Sequence, residues 1–113
     1  MRKPHFEIFV GKDCKFEFRL KAANGEPVLF GAGQRSKAEA LRAVANVMYY
    51  GISSARFVQR ESSDGQYHFL LKSPIGRLLG WSENYTTRIA MLNGIKAART
   101  AAKSAQVTDL VEA

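Results

Sequence analysis

The chain has 113 residues, 46% of them hydrophobic, and 17 Lys and Arg against 10 Asp and Glu, a formal charge of +7. This composition excludes a disordered chain, and no apolar run approaches the roughly 20 residues of a membrane span. The lone cysteine, Cys14, excludes an internal disulfide and a CxxC metal site.

At the N-terminus, MRKPHFEIFVGKD has an apolar stretch broken by Glu7 and ended by Gly11, too short for a signal peptide, so a cytoplasmic protein is expected. A first strand is predicted over Phe6–Val10 and a second over Lys15–Lys21. There Phe16, Phe18 and Leu20 alternate with Glu17, Arg19 and Lys21, the period of a half-buried strand. Ala23-Asn24-Gly25-Glu26 reads as a hairpin turn into a third strand, Pro27–Gly31. FGAGQRS follows. It has the look of a phosphate cradle, but a dinucleotide fingerprint needs a third glycine and an acidic residue about 20 positions on. It is read as a structural bend. Ser36 with Glu39 then makes a capping box for a helix striped by Ala38, Leu41, Val44, Val47 and Met48, with Gly51 as its stop.

The second half repeats the first at an offset of 51 residues without a gap. Phe6, Asp13, Phe18, Leu20, Lys21, Gly25 and Leu41 fall on Phe57, Asp64, Phe69, Leu71, Lys72, Gly76 and Leu92. Strands are predicted over Phe57–Glu61, Tyr67–Lys72 and Arg77–Ser82. A helix capped by Thr86 or Thr87 and striped by Ile89, Leu92, Ile95 and Ala98 follows, with Gly94 set for close helix–sheet approach. The fold class is therefore α+β: two tandem β-β-β-α repeats, antiparallel strands with two helices packed on them, related by a pseudo-twofold. The expected organisation is one compact domain over 1–113, with repeats at 5–51 and 56–102 and a flexible tail at 103–113. The expected core is Phe6, Phe16, Phe18, Leu20, Phe57, Tyr67, Phe69, Leu71 and Trp81.

Phe18-Arg19-Leu20-Lys21-Ala22 with Asn24-Gly25 in the first half, and Ser82-Glu83, Tyr85 and Asn93-Gly94-Ile95 in the second, carry a resemblance. The chain resembles the YegP-like family of small bacterial proteins, built from tandem repeats of about 50 residues. The halves divide the pattern: FGAGQRS departs from S-E-x-Y, and LLKSPIG departs from R-L-K-A-x-N-G. The resemblance implies the fold and a bacterial source. It implies no activity, because the family's function is unknown.

No GxSxG, HExxH or GxxxxGK[ST] occurs, and neither His5 nor His68 has ligand or base spacing with Cys14. No residue is assigned a catalytic, cofactor-binding or metal role, no cofactor is expected, and the chain is read as non-enzymatic. Two surfaces are candidates. Phe9, Arg19, Lys21, Val58 and Leu70 lie on the strand face opposite the expected core and form a partner surface for a protein or a second copy, as a monomer or weak homodimer. Arg35, Ser36, Lys37, Arg42 and Tyr85 form the alternative, contacts to an anion or nucleic acid. The charge is dispersed: residues 1–55 carry nine Lys and Arg against five acids, and residues 56–113 eight against five. The leading reading is a protein-interaction module of unknown role with no membrane partner, and the runner-up is weak nucleic-acid binding.

Overall fold

Tight turns build the first half. The computed structural model describes residues 3–111; residues 1–2 and the last two of the expected tail, 112–113, lie outside it. Strands β1 (His5–Val10), β2 (Phe16–Lys21) and β3 (Pro27–Phe30) form an antiparallel meander. In the β2–β3 turn Gly25 takes φ 87°, a left-handed conformation that costs glycine little, and Asn24 Oδ1 accepts from the Glu26 N–H at 2.9 Å. Helix α1 (Lys37–Tyr50) starts where Ser36 Oγ accepts from the Glu39 N–H at 3.1 Å. After one 3₁₀ turn, Ser54–Arg56, the pattern recurs as β4 (Phe57–Glu61), β5 (Tyr67–Lys72), β6 (Leu78–Trp81) and α2 (Arg88–Ser104), the last capped by Thr87. The six strands and two helices start and end within about two residues of the sequence expectation.

The two meanders join into one sheet. β3 and β6 pair antiparallel at Phe30 and Trp81, giving the order β4-β5-β6-β3-β2-β1-β7. Both helices cover the same face, and each crosses the seam: α1 packs on β2 and on β6, and α2 on β5 and on β3. One core results, in which Phe6, Ile8, Phe18, Leu20, Leu29, Phe57, Phe69 and Leu71 of the sheet meet Ala40, Val44, Val47, Met91, Ala98, Ala101 and Ala102 of the helices.

The helix stripes differ from expectation. Ile89 is 73% exposed, and Leu41 and Leu92 are also exposed, while alanines and Gly94 face the sheet. Val44 and Val47 of the α1 stripe are buried as expected, and Met91 joins them, but with four phenylalanines already on the inner face much of the remaining helix–sheet contact is made by alanines and Gly94. Gly94 shows this most sharply. A Cβ there would lie 2.3 Å from the hydroxyl of Tyr85, whose ring runs nearly parallel to that of Phe69, 6.4 Å between centroids. The glycines of FGAGQRS have a similar origin, since a Cβ on Gly31 would lie 2.0 Å from the Phe18 ring. Three expected core residues are corrected. Phe16 and Tyr67 are half-buried at the rim of the core, and Trp81, registered with Leu70 and Phe30, belongs to the opposite face.

The expected flexible tail is also corrected. Within it, residues 103–104 continue α2 and Gln106–Asp109 form β7, parallel to β1 with His5 opposite Gln106 and Ile8 opposite Asp109. The alternation of this stretch is weak because all four residues are exposed; the hydrogen bonds of the β1 edge hold it. The Leu110 N–H donates to the Ile8 carbonyl at 2.9 Å, and Lys37 Nζ reaches Asp109 Oδ2 at 2.7 Å. Among the described residues no helix is long and apolar enough to cross a membrane.

Two outcomes are expected. Removing residues 106–113 strips β1 of its edge cover, lowering the thermal midpoint by about 5 °C or more and raising light scattering on heating. Gly94→Ala costs about 2 kcal/mol in urea unfolding, and adding Tyr85→Phe, which removes the clashing hydroxyl, recovers part of that.

Candidate functional site

The face of the sheet without helices carries one row of side chains that crosses all seven strands. Directly opposed residues share a face, so the register strings together Val58 of β4, Leu70 of β5, Trp81 of β6, Phe30 of β3, Arg19 of β2, Glu7 of β1 and Thr108 of β7. Four of the seven residues, Val58, Leu70, Trp81 and Phe30, are apolar; Arg19 and Glu7 are charged, and Thr108 ends the row. Val58 and Glu7 are counterparts under the repeat, as are Leu70 and Arg19, and Trp81 and Phe30. The same backbone positions thus hold a hydrophobic strip in the second repeat and an ion cluster in the first.

The ion cluster is built around Glu7, only 9% exposed. Arg19 Nε donates to Glu7 Oε1 at 2.5 Å, Lys21 Nζ lies 3.3 Å from the same oxygen, and His5 Nε2 lies 3.1 Å from Oε2. Burial alone would raise the carboxyl's pKa. The hydrogen bonds from Arg19, His5 and Lys21 outweigh it and hold the group at about 2 against an ordinary 4.5. Arg19 also lies over the Phe9 ring, 4.5 Å from its centroid. The first-repeat half of the predicted partner surface, Phe9, Arg19 and Lys21, is therefore one locked assembly.

The second-repeat half is open. Val58 and Leu70 are half-buried on the face away from the helices, and Leu78 is 48% exposed. Beside them is a shallow hollow of about 390 Å³ bordered by His68, Leu70, Leu78, Trp81, Ser82 and Glu83. His68 Nδ1 is buried there with no hydrogen-bond partner among the described residues. The neighbouring rows carry Arg60 opposite His68 and Lys72 opposite Leu78, and neither cation makes an ion pair among the described residues. Sequence reasoning placed Phe9, Arg19, Lys21, Val58 and Leu70 on this face. It missed Phe30 and Trp81, which complete the strip, because short four-residue strands with bulges hide their alternation.

The second predicted group does not come together. Ser36 Oγ is spent on the α1 cap and Lys37 on Asp109. Arg35 is exposed beside them, and Arg42 lies further along α1. Tyr85 belongs to the other repeat and is packed on Phe69, 6.4 Å between centroids, so its ring is not available to stack with a base. Burial, and then the charge of Glu83, push its pKa up. Among the described residues no three His, Cys, Asp or Glu are placed to hold a metal ion, and Cys14, exposed in its turn, takes φ 59° where the second repeat has Gly65.

Comparison with known proteins adds the following. The profile of "Domain of unknown function (DUF1508)" matches residues 12–57 and again residues 62–109. UPF0339 protein MS1092 of Mannheimia succiniciproducens is 32% identical over 107 residues, 95% of each chain. UPF0339 protein YegP of Escherichia coli O157:H7 is 32% identical over 104 residues, 92% of this chain and 94% of its own. The solution structure of E. coli yegP, described as a protein of unknown function, matches with a TM-score of 0.91 at 28% identity, covering 100% of this chain and 97% of that one. UPF0339 protein SO3888 from Shewanella oneidensis matches at 0.88 and 27% identity, covering 96% and 92%.

The second repeat supplies a template for testing the ion cluster. Glu7→Val and Arg19→Leu each strand a charge and are expected to cost about 2 kcal/mol in urea unfolding at neutral pH. The double variant, which copies Val58 and Leu70, falls short of the sum by about 1 kcal/mol or more. Because Glu7 binds its proton less readily folded than unfolded, the cluster's contribution is present above pH 4.5 and is lost as pH falls through about 2. The coupling measured across the cycle shrinks over that window.

Proposed function

We propose a role for a chain that belongs to the DUF1508 family, a family of unknown function: it is a non-enzymatic cytoplasmic protein-interaction module that uses the open face of its sheet. The observation that carries this reading is the strip of Val58, Leu70, Trp81 and Phe30, on the sheet face opposite both helices among the described residues. Apolar side chains aligned across four strands, next to a hollow holding an unpaired His68 nitrogen, are suited to a partner that inserts one apolar side chain and supplies one polar group. Arg60 and Lys72 flank the strip without counter-charges among the described residues, so the matching partner is a protein surface with carboxylates around that apolar anchor. The locked Glu7 cluster at the other end gives the surface an orientation.

The test compares proteins captured from bacterial lysate by the wild type, by Leu70→Arg and by Arg60→Glu/Lys72→Glu, each with and without nuclease. The reading expects a defined acidic partner that survives nuclease, is lost by both variants, and binds the purified wild type about tenfold or more tightly than either variant. Equal capture by all three proteins overturns it. Capture that vanishes with nuclease replaces it with nucleic-acid binding through the basic surface. Sedimentation of wild type and Leu70→Arg separates a second copy from a foreign partner: concentration-dependent association of the wild type alone would make the partner another copy of this chain.

A further inference from the structure

The two repeats differ in one place where the difference leaves a hole. After β6, Tyr85 exchanges backbone hydrogen bonds with Tyr67, at 2.8 and 2.6 Å. After β3, Gln34 exchanges the same pair with Phe16, at 2.9 and 2.7 Å. Gln34 is thus the structural counterpart of Tyr85. Tyr85 lays its ring on Phe69 at an interplanar angle of 14° and rests its hydroxyl over Gly94. The counterparts of Phe69 and Gly94 are Phe18 and Ala43. In the first repeat the tyrosine's place in sequence is taken by Gln34, which turns its amide back to the Ala32 carbonyl at 3.3 Å. A cavity of about 190 Å³ opens there, bordered by Phe18, Gln34, Ala43, Leu79, Arg42 and Arg77.

We infer that this cavity is a binding slot for a small aromatic carboxylate, whose ring takes the place that Tyr85 fills in the other repeat. Size supports a single ring: an apolar cavity of about 150 Å³ is enough for benzene. Phe18 borders the slot, as its counterpart Phe69 lies beside Tyr85 in the second repeat. Charge supports the carboxylate. Arg42 comes from α1 and Arg77 from the turn before β6, so two exposed arginines border the slot from different repeats. Neither makes an ion pair among the described residues, and guanidinium is the side chain that matches a carboxylate in two-pronged geometry. Glu39 also borders the slot and offers an acceptor for a phenolic hydroxyl. Leu78 and Trp81 border both this cavity and the hollow of the open face, but the inference does not rest on the role proposed for that face.

The probe is 4-hydroxyphenylacetate, which joins the phenol of a tyrosine to a carboxylate, with p-cresol and acetate as its two halves. Amide and side-chain shifts of labelled protein are followed by NMR during titration. Saturable shifts are expected at Phe18, Gln34, Arg42, Ala43 and Arg77, with affinity about tenfold or more above that of either half. Arg42→Ala/Arg77→Ala is expected to bind the probe no better than p-cresol. Gln34→Tyr/Ala43→Gly installs the second repeat's own pair and is expected to abolish binding while the fold is kept, since the identical pair is already accommodated once in this chain. An absence of saturable shifts up to the probe's solubility limit overturns the inference. So does binding that survives Gln34→Tyr/Ala43→Gly in a protein whose spectrum shows it folded.

Discussion

A single pairing, Phe30 against Trp81, makes one molecule out of two meanders. Each repeat alone is three strands and a helix, too small to bury a secure core. Joining β3 to β6 doubles the sheet, and each helix can then lie across the seam and cover the other repeat's third strand. The same pairing aligns the two outer faces, so that rows begun at either edge meet in register. Both the shared core and the continuous strip across the open face follow from that contact.

The inner face leaves little freedom. Four phenylalanines occupy corresponding positions in the two repeats, with edge-to-face contacts between Phe6 and Phe18 and between Phe57 and Phe69. Beside Val44, Val47 and Met91 the helices present mostly alanines, and this extends to Gly94 against the Tyr85 hydroxyl. Differences between the halves collect where packing demands less. The outer row exchanges an ion cluster for aliphatic side chains at the same backbone positions, and Gln34 stands where a tyrosine would fill space. Changes of this kind keep the fold while altering what the surface offers.

Much of the architecture was legible because strong local chemistry coincided with the repeat. Asn24-Gly25, the Ser36 capping box and the alternation of β2 each point to one conformation, and the offset of 51 sets the same order of elements in the second half. What escaped depends on neighbours distant in sequence. β7 has no buried residue to give it a period, so only the bonding groups of β1 explain it. Ile89 and Leu92 read as a core stripe because hydropathy does not report that the sheet has already used the available volume. On the open face, Arg19 and Leu70 followed from alternation, whereas Trp81 was assigned to the core because its size suggested burial and its strand was too short to show a face. The cavity beside Gln34 could be seen only by setting one repeat's structure on the other's.

The parallel pairing of β1 with β7 has a mechanical consequence. These strands lie at the two ends of the described chain, side by side and pointing the same way. A force that draws residue 5 away from residue 109 acts along both strands in opposite directions. It loads the hydrogen bonds between them together, in shear, so they cannot peel apart one at a time. Tension on the chain would meet its stiffest resistance at that edge before it reached the core.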